Sequence, residues 1–126
     1  MKSEVTDKIA EFVNRAEGLS KLIPGPIDPY LRKQKALWDD VEKWDRKLGP
    51  GLHVGRLVSW PQADGRSSYF VTAIKRDTCL LAHFPIGDAW HSPVVQDGKA
   101  LRSAVEAAVE FKDGMRLLFG KTKGIP

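Results

Sequence analysis

Three histidines, His53, His83 and His91, are the side chains of this 126-residue chain that titrate near neutrality by default. The single cysteine, Cys79, adds the only thiol. His91 has the most suggestive surroundings. It belongs to Pro85-Ile86-Gly87-Asp88-Ala89-Trp90-His91-Ser92-Pro93, three residues after Asp88 and bracketed by prolines. If that loop folds back, the Asp88 carboxylate can orient the His91 imidazole as a general base, as a small hydrolase or ribonuclease with a nearby Arg would require. In extended chain, residues three apart point to opposite faces and the pair does not form. His83 lies inside an apolar run and is expected as a hydrogen-bonded core residue. His53 follows a Gly-rich turn and is expected at the surface.

Metal chemistry needs closer spacing. Asp88, His91, His83 and Cys79 are competent ligand types, but C-x-x-C, H-x-x-x-H and H-E-x-x-H are all missing. Cys79 and His83, four apart in a strand, would stand about 13 Å apart. The thiol also sits in an apolar run away from any helix N-terminus, which predicts an inert cysteine. The serines have no G-x-S-x-G context. The glycines of Gly49 to Gly55 precede a strand and not a helix, so they cannot cradle a phosphate as a P-loop does. No metal and no cofactor are therefore expected, and catalysis, with His91 and Asp88 as its candidates, is the alternative to a simpler role.

That simpler role is binding. Trp60, Tyr69 and Trp90 lie on strands or beside turns, with Arg66, Arg76, Asp88 and His91 along the same segments. Such residues could form an aromatic and basic groove for a protein or peptide, or in second place for nucleic acid. The competing reading has the aromatics packing helices onto a sheet. The leading expectation is a non-catalytic binding or adaptor module for a protein or peptide partner. The alternative is a nucleic-acid-binding protein or small ribonuclease using His91 and Asp88.

The elements that would position these residues form one α+β domain over 1–126. In the segment 1–48, Val5, Ile9, Phe12, Ala16, Leu19 and Ile23 recur in steps of four and three and predict a helix over 3–23. Pro24-Gly25-Pro26 stops it, and Asp28-Pro29 starts a second helix that runs to about Lys47. Leu31, Leu37, Val41, Trp44 and Leu48 mark its apolar side. Asp39 with Lys43 and Glu42 with Arg46 are spaced for i,i+4 pairs. The two helices read as a hairpin that covers the sheet, or that joins two copies in a homodimer.

From 52 to 119 the pattern reads as β-rich. Strands are expected over 52–60, 69–74, 79–84 and 89–95, with Asp64-Gly65 and Lys75 to Thr78 as turns. Gly55 marks a bulge. After Asp97-Gly98, a helix over 99–111 carries a small-residue stripe. Asp113-Gly114 reads as a turn and Met115 to Phe119 as a fifth strand, leaving 120–126 as a tail. Five short antiparallel strands with a helix before the last predict a strongly curved sheet. In this rhythm the segment resembles the SH3-like class of small barrels, although the helix is longer than the single turn usual there.

Charge and composition bound the rest. The net charge of +4 is concentrated at the end, where residues 99–126 carry six Lys/Arg against three Asp/Glu. The basic residues Lys112, Arg116, Lys121 and Lys123 read as a solvated tail or as a small polyanion footprint. No run of about 18 apolar residues is present, so no membrane role is expected. Acids near the N-terminus and a lone cysteine point to the cytoplasm.

Overall fold

The computed structural model describes residues 4–22, 27–62, 65–85 and 92–123. Helix α1 spans Glu4–Ser20 and α2 spans Ile27–Leu48. Strands β1 (Leu57–Gln62), β2 (Gly65–Ile74), β3 (Thr78–Phe84) and β4 (Lys99–Leu101) follow, and α3 (Arg102–Lys123) closes the chain. The strands form an antiparallel sheet in the order β1-β2-β3-β4, curled into a half-barrel.

The sheet divides two cores. Alternation along β1 and the paired part of β2 sends Leu57 and Phe70 to one face and Val58 and Tyr69 to the other. On the first face, Leu57, Phe70 and Phe84 meet Ile9, Phe12, Ala16 and Leu19 of α1 and Leu37, Val41 and Trp44 of α2. The helical hairpin thus covers the sheet, and the α1 seam that could have joined two copies is buried within the chain. Leu31, expected on the α2 seam, is exposed instead. On the second face, Val58, Tyr69, Val71, Cys79 and Leu81 pack against Val105 and Val109 of α3. β2 is central and apolar on both sides because helices cover both faces. A register shift between Val71 and Ala73 breaks the alternation, and Ile74 joins the α3 side although Phe70, four residues earlier, faces the hairpin.

Three sequence expectations are corrected. The first strand begins at Leu57 and not Leu52, because Leu52 to Arg56 form an irregular approach to the sheet. The fourth strand is Lys99–Leu101: of the expected 89–95, residues 89–91 lie outside the described residues, and 92–95 are turn and coil. Asp97 and Gly98, with φ of 54° and 71°, close a tight turn in which Gln96 and Lys99 exchange both backbone hydrogen bonds at 3.0 and 2.9 Å. The third correction is the largest. Asp113-Gly114 is not a turn and Met115 to Phe119 is not a strand; α3 runs through both. A short apolar run fits helix or strand equally well, and here the helix is held in register by side chains that anchor its middle.

Candidate functional site

The anchor of α3 is a buried charge cluster, and it begins with Gly55. Gly55 N–H donates to Val71 O (2.8 Å), and Val71 N–H donates to Arg56 O (2.9 Å), so two residues oppose one. This is a bulge with glycine at its first position, where φ is +100°. The kink turns the Arg56 side chain inward, where it is completely buried. Its Nε donates to Asp45 Oδ1 (3.1 Å) and its Nη2 to Asp113 Oδ1 (2.7 Å). Its Nη1 donates to Gly49 O and Gly51 O, each at 2.9 Å.

Asp45 is equally buried and collects four donors. Besides Arg56 they are Leu57 N–H (2.8 Å), Lys112 Nζ (3.0 Å) and Arg116 Nη1 (2.7 Å). Arg116 also pairs with Glu42. Burial pushes the Asp45 carboxyl up, but Lys112, Leu57 N–H and Arg56 outweigh it and hold it below 3.8. Asp113 is also held low: burial raises it, and Arg56 and Gly51 N–H outweigh that. Three acids and three bases tie α2, the 49–56 segment, β1 and α3 together. With all members paired, the cluster is structural in character.

Beside it lies a cleft of 370 Å3 between α2, the free edge of β1 and α3. Trp38, Leu57, Phe111 and Met115 give it apolar walls, and Arg46, Arg66, Lys112 and Arg116 give it charge. Phe111 and Met115 continue beyond the cleft into Leu117, Leu118 and Phe119 on the last turns of α3. These five side chains are 37–68% exposed.

The sequence-predicted residues fall in different places. Arg66 is exposed and lines the cleft, on the sheet face that bears Leu57. Trp60 and Tyr69 are on the opposite face, with ring centroids 6.0 Å apart. Tyr69 is buried, and its hydroxyl accepts a hydrogen bond from Ser92 N–H (2.9 Å). The structure therefore does not bring Trp60, Arg66 and Tyr69 to one surface. Arg76 is exposed at the β2–β3 turn. Asp88, Trp90 and His91 lie outside the described residues. His83 is half-buried beside the Tyr69 ring. His53 is half-buried as well, with its ring nitrogens 3.3 Å from Val54 O and 3.1 Å from Gly49 O. Burial pushes the Cys79 thiol up, which favours the unreactive protonated form. Among the described residues, no group of His, Cys, Asp and Glu is arranged to hold a metal ion, and no helix is long and apolar enough to cross a membrane.

The cluster and the cleft escaped the sequence reading for an identifiable reason. The apparent i,i+4 partners on α2 are not the partners used: Asp39 pairs with Lys35, and Glu42 with Arg116. Lys112 and Arg116, expected in a solvated tail or a polyanion footprint, are instead, with Arg56, cations of the cluster around Asp45. One signal was present. Asp45 falls on the apolar seam between Val41 and Leu48, and a carboxylate there calls for a buried partner. No family model, curated protein or solved structure matches the chain.

Proposed function

We propose that this protein is a non-catalytic binding module for a protein or peptide partner, and that the partner engages the cleft between α2, β1 and α3 together with the apolar side chains that α3 carries beyond it. One observation carries this reading. Phe111, Met115, Leu117, Leu118 and Phe119 are all exposed on one half-helix, although two cores are already filled on the two faces of the sheet. A domain seldom exposes so many large apolar side chains along one stretch of helix unless another molecule covers them. The curled, four-stranded sheet is the SH3-like element of the reading, and the helix at its open edge replaces the groove that the strand aromatics were expected to form. Association of two copies through α3, binding of nucleic acid, and catalysis by His91 with Asp88 are the rival proposals.

Photo-crosslinking from α3 tests it. With p-benzoylphenylalanine in place of Phe119, a discrete protein adduct is expected in the source cell, and the same label in place of Arg76 should not give it. Identical adducts from both positions would sink the proposal.

A further inference from the structure

The cleft also carries information about the chemistry of its partner. Four cations line it, but they are not equivalent. Lys112 and Arg116 are held by Asp45 and Glu42. Arg46 and Arg66 are exposed and have no carboxylate partner among the described residues. The cleft is thus an apolar trough with two uncompensated guanidinium groups.

Both reach the same cleft from different elements: Arg46 stands in the last turn of α2, and Arg66 stands on β2 opposite Pro61.

The mode of binding is constrained too. A partner strand cannot simply extend the sheet at β1. Leu57 N–H is bonded to Asp45 and Leu57 O to Lys112 (2.9 Å), and Pro61 has no N–H. A second copy of the chain would bring the same uncompensated arginines to a two-fold interface. A nucleic acid would satisfy the arginines but leave the exposed Phe111 and Met115 without an apolar counterpart.

We infer that the cleft takes an acidic amphipathic helix, whose apolar side chains pack on the exposed Phe111 and Met115 and whose carboxylates meet Arg46 and Arg66. This deepens the proposed function and rests on its reading of the cleft as a partner site.

The test is selection from a displayed library of helical peptides of about 18 residues, five turns of helix. Binding of the selected peptides is then measured on the wild-type protein, on Arg46→Glu/Arg66→Glu and on Phe111→Ser. The exposed arginines have no structural partner, so the charge-reversed protein is expected to fold. Selected peptides should carry Asp or Glu flanking apolar anchors at helical spacing, and bind the charge-reversed protein about tenfold more weakly or worse. Peptides that are lost with Phe111→Ser but indifferent to charge reversal would overturn the acidic partner and keep the cleft as a partner site. No selection, or binding indifferent to both variants, would remove the cleft itself. An oligonucleotide that binds with steep salt dependence and needs both arginines, where no peptide does, would replace the helix with a polyanion.

Discussion

Asp45→Ala should be among the most damaging single substitutions in the chain. The carboxylate is fully buried and receives Arg56, Lys112, Arg116 and Leu57 N–H. Its removal leaves the buried Arg56 guanidinium with Asp113 as its remaining carboxylate and turns a cluster of three acids and three bases into one with a net positive charge. Breaking a buried pair by deleting one partner costs about 3–5 kcal/mol. The orphaned Leu57 N–H accounts for about 1–3 kcal/mol of that same penalty. Against a total stability of about 6–19 kcal/mol for 126 residues, the loss is large enough to read by urea denaturation. With a slope of about 2 kcal/mol per molar, the midpoint should fall by roughly 2 M. Tryptophan emission reports the transition, since Trp44 lies in the core below α2. The double variant Asp45→Ala/Arg56→Met removes both charges and should be more stable than the two single losses added together, by about 1 kcal/mol or more. An Asp45→Ala protein within about 1 kcal/mol of wild type, or strict additivity in the double variant, would refute the view that this cluster fastens α3 to α2.

Other perturbations probe the same architecture. Asp45 and Asp113 are held below their ordinary value of 3.8, so their contribution is complete above that pH and is lost as pH falls through their lower folded values. Urea midpoints measured down a pH series should drop in the acid range, and the drop should be shallower in Asp45→Ala; equal slopes would disprove the linkage. Gly55→Ala should destabilise by about 2–4 kcal/mol. Its Cβ would lie 2.7 Å from Val5 Cγ1 and 3.0 Å from Leu48 Cδ1, at a φ of +100°; an unchanged thermal midpoint would exclude the bulge. Gly114→Ala meets nothing within 4 Å and should stabilise α3 by about 1 kcal/mol, whereas in a tight glycine turn it would destabilise, so the sign of the change decides between helix and turn at this position.

The parts of the fold that depend on local pattern are legible in the residues. The α1 seam, the Pro-bounded start of α2, the central character of β2 and the Asp97-Gly98 turn all follow from spacing or from the φ preferences of a dipeptide. What depends on long-range partners is not. The peptide Asp113-Gly114 has turn chemistry, yet Asp113 is held by Arg56, 57 residues earlier, and by Gly51 N–H, 62 residues earlier. Those bonds exist only once the sheet has curled, and they keep the helix continuous through a glycine that costs about 1 kcal/mol there. Propensity is overridden by tertiary anchoring, and the apolar run that follows lies exposed along a helix in place of a fifth strand.

The same anchoring connects stability with the proposed role. α3 leaves the sheet at Val109, is fastened to α2 and β1 through Lys112, Asp113 and Arg116, and carries its remaining apolar residues outward. The ion pairs and the Lys112–Leu57 bond hold the middle of α3 against α2 and β1, beside the cleft. On this reasoning Asp45→Ala should weaken partner binding even in the fraction that remains folded, because the cleft walls on α2 and α3 lose their common anchor. Arg46→Glu should weaken binding at a stability cost of only about 1 kcal/mol, from an acid placed in the last turn of α2. If binding to folded Asp45→Ala equals that of wild type, the cluster holds the fold together and has no part in shaping the cleft.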